Sequence, residues 1–138
     1  MMRRFYILSI FILIATIGYG QFIGKDGVSK ALFYLQKNEL DSAKKYIDEA
    51  EKDETTNTLP KTWYYRALIY KDAYKLYEKE DKNSPLRATA VVALNKLTGL
   101  DKENEFTESA QKMMTYLAST YYNDAARSLN PATYKNAI

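Results

Sequence analysis

The chain contains no cysteine and no histidine in 138 residues, and only five glycines and three prolines. Without cysteine there is no disulfide, no Cys-ligated zinc, no thiol nucleophile and no lipid-modified N-terminal cysteine. Without histidine the usual general base and the commonest metal ligand are missing. A formal net charge of +3 is too small to point to nucleic acid. What is present is ordinary for one globular domain: 46% hydrophobic and 27% charged residues, with 13 tyrosines.

The N-terminus carries an address. Met1-Met2-Arg3-Arg4 is a short basic start, and from Phe5 to Ile17 only Ser9 and Thr16 are polar. Gly18-Tyr19-Gly20 then precedes Gln21. Basic, apolar and small-residue parts in this order form a secretory signal, with Gly18 and Gly20 in the two small-residue places before the cut. Cleavage is expected between Gly20 and Gln21, so residues 1–20 read as a signal peptide and 21–138 as the exported domain. The alternative is an uncleaved anchor, because no charge occurs from Phe5 to Gly24 and a bilayer needs about 20 apolar residues. Membrane attachment is expected only in that case. Cleavage removes Arg3 and Arg4, leaving 18 cations against 17 acids and a mature charge of +1. Nucleic acid is not an expected partner. An exported chain without cysteine must take its stability from helix packing.

The remainder reads as helix. Pro60, Pro85 and Pro131 each stand where a helix should begin, since the first helical turn needs no N–H from proline. Asn83-Ser84-Pro85 and Asn130-Pro131 put a capping side chain directly before the proline, and Asp26 reads as the cap of the first helix. No stretch alternates in the manner of a strand. The spacing predicts helices over about 27–37, 41–53, 60–79, 85–98 and 105–129, and a sixth from Pro131 through Tyr134, Ala137 and Ile138. Their apolar residues recur every three or four places, which puts each set on one face. Trp63, Ala67, Tyr70, Tyr74 and Tyr77 form one such stripe, and Phe106, Ala110, Met113, Leu117 and Tyr121 another. An amphipathic helix cannot bury its stripe alone, so these helices must pack on one another. The short Asn38-Glu39-Leu40 link forces the first two into an antiparallel hairpin.

Small residues then repeat at fixed distances from large ones. The first hairpin reads Ala31, Tyr34, Ala43, Ile47, Ala50; Trp63, Ala67 and Tyr70 repeat its opening half, and Ala90, Leu94 and Leu97 its closing half. A third copy begins with Tyr121 and Ala125 and proceeds to Tyr134 and Ala137. On these residues the sequence resembles the tetratricopeptide (TPR) repeat family, in which small residues let the helices of a hairpin approach and large ones fill the gap to the next hairpin. The units lie at about 24–57, 60–103 and 118–138, the last incomplete. Thr55 and Lys102 stand where the family usually has proline, and the second unit carries extra residues around Leu76 to Asn83. The expected fold is all-α, with antiparallel hairpins stacked as a TPR-like α-solenoid; the competing reading is a generic helical bundle. The natural protein is expected to continue past Ile138, because a helix begun at Pro131 wants about 12 to 14 residues.

Little chemistry is visible. Gly18-x-Gly20-x-x-x-Gly24 has the wrong spacing and context for a dinucleotide loop. The acidic runs around Asp48 to Glu54 and Glu78 to Asp81 interleave with lysine and read as solvated faces rather than as paired catalytic acids or a calcium loop. No catalytic residue, metal, cofactor or small-molecule substrate is expected. The resemblance implies instead that the first helix of each unit lines a concave surface holding a protein or peptide. On that reading Leu32, Leu35 and Gln36, with Val28, join Tyr64, Leu68, Lys71 and Asp72 as the contact surface. Ala31, Tyr34, Ala43, Ile47, Ala50, Trp63, Ala67, Tyr70, Ala90 and Leu94 pack the repeats. An exported protein–protein interaction or scaffold module, periplasmic or secreted, is the function these features imply.

Overall fold

A computed structural model of the chain describes residues 26–129. The segment expected to be a signal peptide, with Gly18, Gly20 and Gln21, and the helix expected from Pro131, lie outside the described residues. Within them the chain is all-helical: α1 (Gly27–Gln36), α2 (Leu40–Lys52), α3 (Pro60–Ala73), α4 (Pro85–Leu100) and α5 (Thr107–Ser128), with no strand. Each boundary falls within two residues of its expected place, except at the end of α3.

The caps follow from side-chain chemistry. Asp26 accepts from the Ser29 N–H at 3.0 Å and from the Ser29 hydroxyl at 2.7 Å, opening α1. These bonds hold the Asp26 carboxyl below its ordinary pKa. Ser84 opens α4 by accepting from the Arg87 N–H at 3.0 Å, directly before Pro85. Asn38 and Asn104 both adopt φ 59°, the left-handed conformation that asparagine tolerates better than most residues. Each is followed by Glu and then a large apolar residue, Leu40 or Phe106, at the start of the next helix.

Successive helices pack on one another, and α1 also meets α3 as α3 meets α5. The core is built on small residues. Ala31, Ala43, Ala50, Ala67, Ala73, Ala90 and Ala93 are buried between the helices, with Ile47, Ile69, Leu94, Leu97 and Leu117 filling the spaces around them. At the start of the first hairpin the two backbones approach closely. A Cβ on Gly27 would lie 2.8 Å from the Tyr46 carbonyl oxygen and 3.0 Å from the Ala50 Cβ, so only glycine fits between α1 and α2 there. Tyr34 stacks on Tyr46 across the same hairpin, ring centroids 5.3 Å apart.

The end of α3 differs from the expected continuous helix. Tyr74–Glu78 forms a π-helical turn, in which hydrogen bonds reach five residues instead of four. The extra residue per turn rotates the later side chains about the helix axis, so Tyr74 is buried but Tyr77, expected on the same stripe, is 53% exposed. The turn also aims Glu78 at the next helix. Its Oε2 accepts from the Ser84 hydroxyl at 2.6 Å and the Leu86 N–H at 3.2 Å, placing an anionic partner on the N-terminus of α4.

Candidate functional site

The residues expected to contact a partner divide by burial. Val28 is in the core. Leu32, Leu35, Tyr64 and Leu68 are half-buried and pack against that core. Gln36 is exposed in the last turn of α1, and Lys71 and Asp72 form an ion pair at 2.9 Å on α3. Their places on α3 follow from spacing: Tyr64, Leu68 and Lys71 lie three and four residues apart and share one face.

Phe106, which joined only a core stripe in the sequence, extends that face. Its ring stacks on Tyr64 with centroids 4.6 Å apart and planes at 24°, while Tyr65 meets Tyr64 edge-on at 5.0 Å. Tyr65 and Tyr116 are pushed above the ordinary tyrosine pKa chiefly by burial. Asp101 holds Phe106 in place. Its carboxylate accepts from the Glu105 N–H and the Phe106 N–H, each at 2.9 Å. No pattern in the sequence pairs Phe106 with Tyr64, because the two are brought together by the turn into α5.

Two polar clusters brace the stack behind this face. On the α2–α3 contact the Tyr70 hydroxyl donates to Asp48 at 2.9 Å, and Arg66 pairs with the same carboxylate. Burial, and then the Asp48 bond, raise the Tyr70 phenol to about 12. The second cluster is centred on Arg87, whose side chain is 0% exposed. Its guanidinium donates to Asp124 at 2.7 Å, Thr120 at 3.2 Å, Tyr74 at 3.4 Å and the Lys82 carbonyl. The Tyr121 ring lies 3.9 Å from its Cζ. Burial opposes the Arg87 charge, but the Asp124 bond and the electrostatic pull of Tyr74, Asp124 and Tyr121 together outweigh it, so the pKa is raised. Arg87 falls in register with Ala90, Leu94 and Leu97, which marks it as inward-facing. Its partner lies 37 residues away, beyond any local pattern.

A third feature is an open cleft of about 380 Å³ between α4 and α5, with Leu94, Leu97, Ala110 and Met114 on its floor and Thr98 and Gln111 among its rim. Among the described residues no group of acidic side chains is arranged to hold a metal ion, and no helix is long and apolar enough to cross a membrane. No family model, curated protein or solved structure matches the chain.

Proposed function

We propose that the chain is an exported, TPR-like interaction module that holds a protein or peptide segment on the side of the stack built by α1 and α3. The observation that carries this reading is the half-buried aromatic shelf of Tyr64 and Phe106, continued by Leu68 and bordered by the Lys71–Asp72 pair. Tyrosine, phenylalanine and leucine bury large areas at low entropic cost, and a charged edge fixes the register of a bound chain. The order of packing supports the repeat reading too. The α1–α3 and α3–α5 contacts place alternate helices side by side, as a stack of hairpins requires.

The test spares the shelf, since Tyr64 and Leu68 also support the core. Gln36→Arg combined with Lys71→Gln, which loses the Asp72 pair without setting two carboxylates together, should leave the far-ultraviolet circular dichroism unchanged. Recovery of the partner from an envelope extract should fall at least tenfold. Equal recovery by the variant and the parent chain rejects this surface.

A further inference from the structure

Two charged side chains are buried among the described residues, Arg87 and Asp101. Arg87 has its counter-ion in Asp124, at 2.7 Å. Asp101, 9% exposed, has none: its carboxylate stands in no ion pair with a described residue. What it accepts is neutral. Its Oδ1 takes the Glu105 N–H at 2.9 Å, and its Oδ2 takes the Phe106 N–H at 2.9 Å and the Thr107 hydroxyl at 3.3 Å. A carboxylate has roughly four acceptor positions, so one is left, on Oδ1. Asp101 also lines the α4–α5 cleft, whose floor is the hydrocarbon of Leu94, Leu97, Ala110 and Met114. The turn at that end of the cleft is acidic as well. From Asp101 to Glu108 the chain holds four acids against one cation, Lys102, and Lys112 of α5 pairs with Glu108 alone.

A buried charge is ordinarily paired, because the loss of water costs it more than neutral hydrogen bonds return. The cleft therefore selects a cation, and the excess of acid at its end attracts the same sign. The open position narrows which cation. A single place on Oδ1 admits one N–H, which suits an ammonium and not the two-pronged fork of a guanidinium. An ammonium has two further donors. The Thr98 hydroxyl, whose hydrogen goes to the Leu94 carbonyl at 3.0 Å, and the Gln111 side-chain carbonyl are acceptors on the same lining. The apolar floor suits the four-carbon stem of lysine, which lies along hydrocarbon while its head stays with polar groups. Asn104 equips the rim for a backbone. Its Oδ1 accepts from the Thr107 hydroxyl at 3.2 Å, which leaves its amide N–H groups for a peptide carbonyl. We propose that the α4–α5 cleft binds a lysine side chain of a peptide segment, with the stem on the apolar floor and the ammonium on Asp101. The site shares no residue with the α1–α3 side and does not depend on it.

The probe is the capped peptide acetyl-Gly-Gly-Lys-Gly-Gly-amide, titrated into the isotope-labelled full chain and followed by backbone amide chemical shifts. Shifts at Thr98, Asn104 and Gln111 should saturate. Norleucine in place of the peptide's lysine keeps a hydrocarbon stem and removes the ammonium, and it should weaken binding by about tenfold or more. Gln111→Lys, on the exposed rim, sets a tethered ammonium beside the site and should weaken the lysine peptide to a similar degree with circular dichroism unchanged. No saturable shift with the lysine peptide, equal affinity for the norleucine peptide, or unchanged affinity in Gln111→Lys overturns the proposal. Shifts confined to α1 and α3 also overturn it, since the peptide would then sit on the other side. Butylammonium binding as tightly as the peptide would assign the cleft to a free amine and overturn the peptide as its occupant.

Discussion

Arg87 is the residue on which the second half of the molecule turns. It is a buried cation that ties α4 to α5, to the loop carbonyl of Lys82 and to the hydroxyl of Tyr74. Removing one partner of a buried pair leaves the other charged and dry, so Arg87→Met should cost about 3–5 kcal/mol in urea unfolding. Adding Asp124→Leu should recover most of that loss. Tyr70 behaves differently because it titrates. Its phenol donates to Asp48, and Tyr70→Phe should cost about 1.5 kcal/mol at neutral pH. The folded pKa of about 12 exceeds the ordinary 10, so the proton is held more tightly in the folded chain. The stabilisation is therefore complete below pH 10 and is lost as the pH rises through 12. The gap between parent and Tyr70→Phe should close over that window when unfolding is followed by circular dichroism. The glycines give opposite results. Gly27→Ala should destabilise, because the added Cβ meets the Tyr46 carbonyl at 2.8 Å. Gly99→Ala, in open helix, should stabilise by about 0.5–1 kcal/mol; melting temperatures of the two variants check both signs.

Among the helices, the features legible in the sequence were those written locally. The Asp26 and Ser84 caps, the prolines at the first turns and the three- and four-residue spacing of apolar side chains place all five helices. The π-helical turn was hidden because no residue type announces it: Tyr74 and Tyr77 are spaced as though they shared a stripe. The shelf was legible in part, since Tyr64, Leu68 and Lys71 share a face by periodicity, whereas Phe106 reaches it through a turn fixed by Asp101. The helices are also held unequally. Past Leu117, α5 buries no large apolar side chain among the described residues and is tied down by the Arg87–Asp124 pair, the Lys82–Ser128 bond and the exposed Arg127–Glu80 pair. Regions with few buried apolar contacts open at low free energy. Amide exchange followed by mass spectrometry should therefore show residues 118–129 exchanging well before α3. Arg87→Met should accelerate that segment more than any other.

In the molecule as a whole, the zeros in the composition set the frame and the helix stack gives it form. A chain without cysteine or histidine offers neither a thiol nor an imidazole. Leu32 and Leu35 of α1 and Tyr64 and Leu68 of α3 are half-buried against the core, and the order of contacts places alternate helices side by side. The pairing of distant residues was not legible, because Arg87 with Asp124 and Tyr64 with Phe106 meet only through the tertiary stack. The functional account rests on the side built by α1 and α3, and site-specific photo-crosslinking in the native cell addresses that side while the partner is still at its working concentration. A benzophenone amino acid placed at Gln36 or at Lys71 should each yield the same discrete adduct, and one placed at Glu49 on α2 should yield none. No adduct from either position, or the same adduct from Glu49, would contradict the assignment of this face.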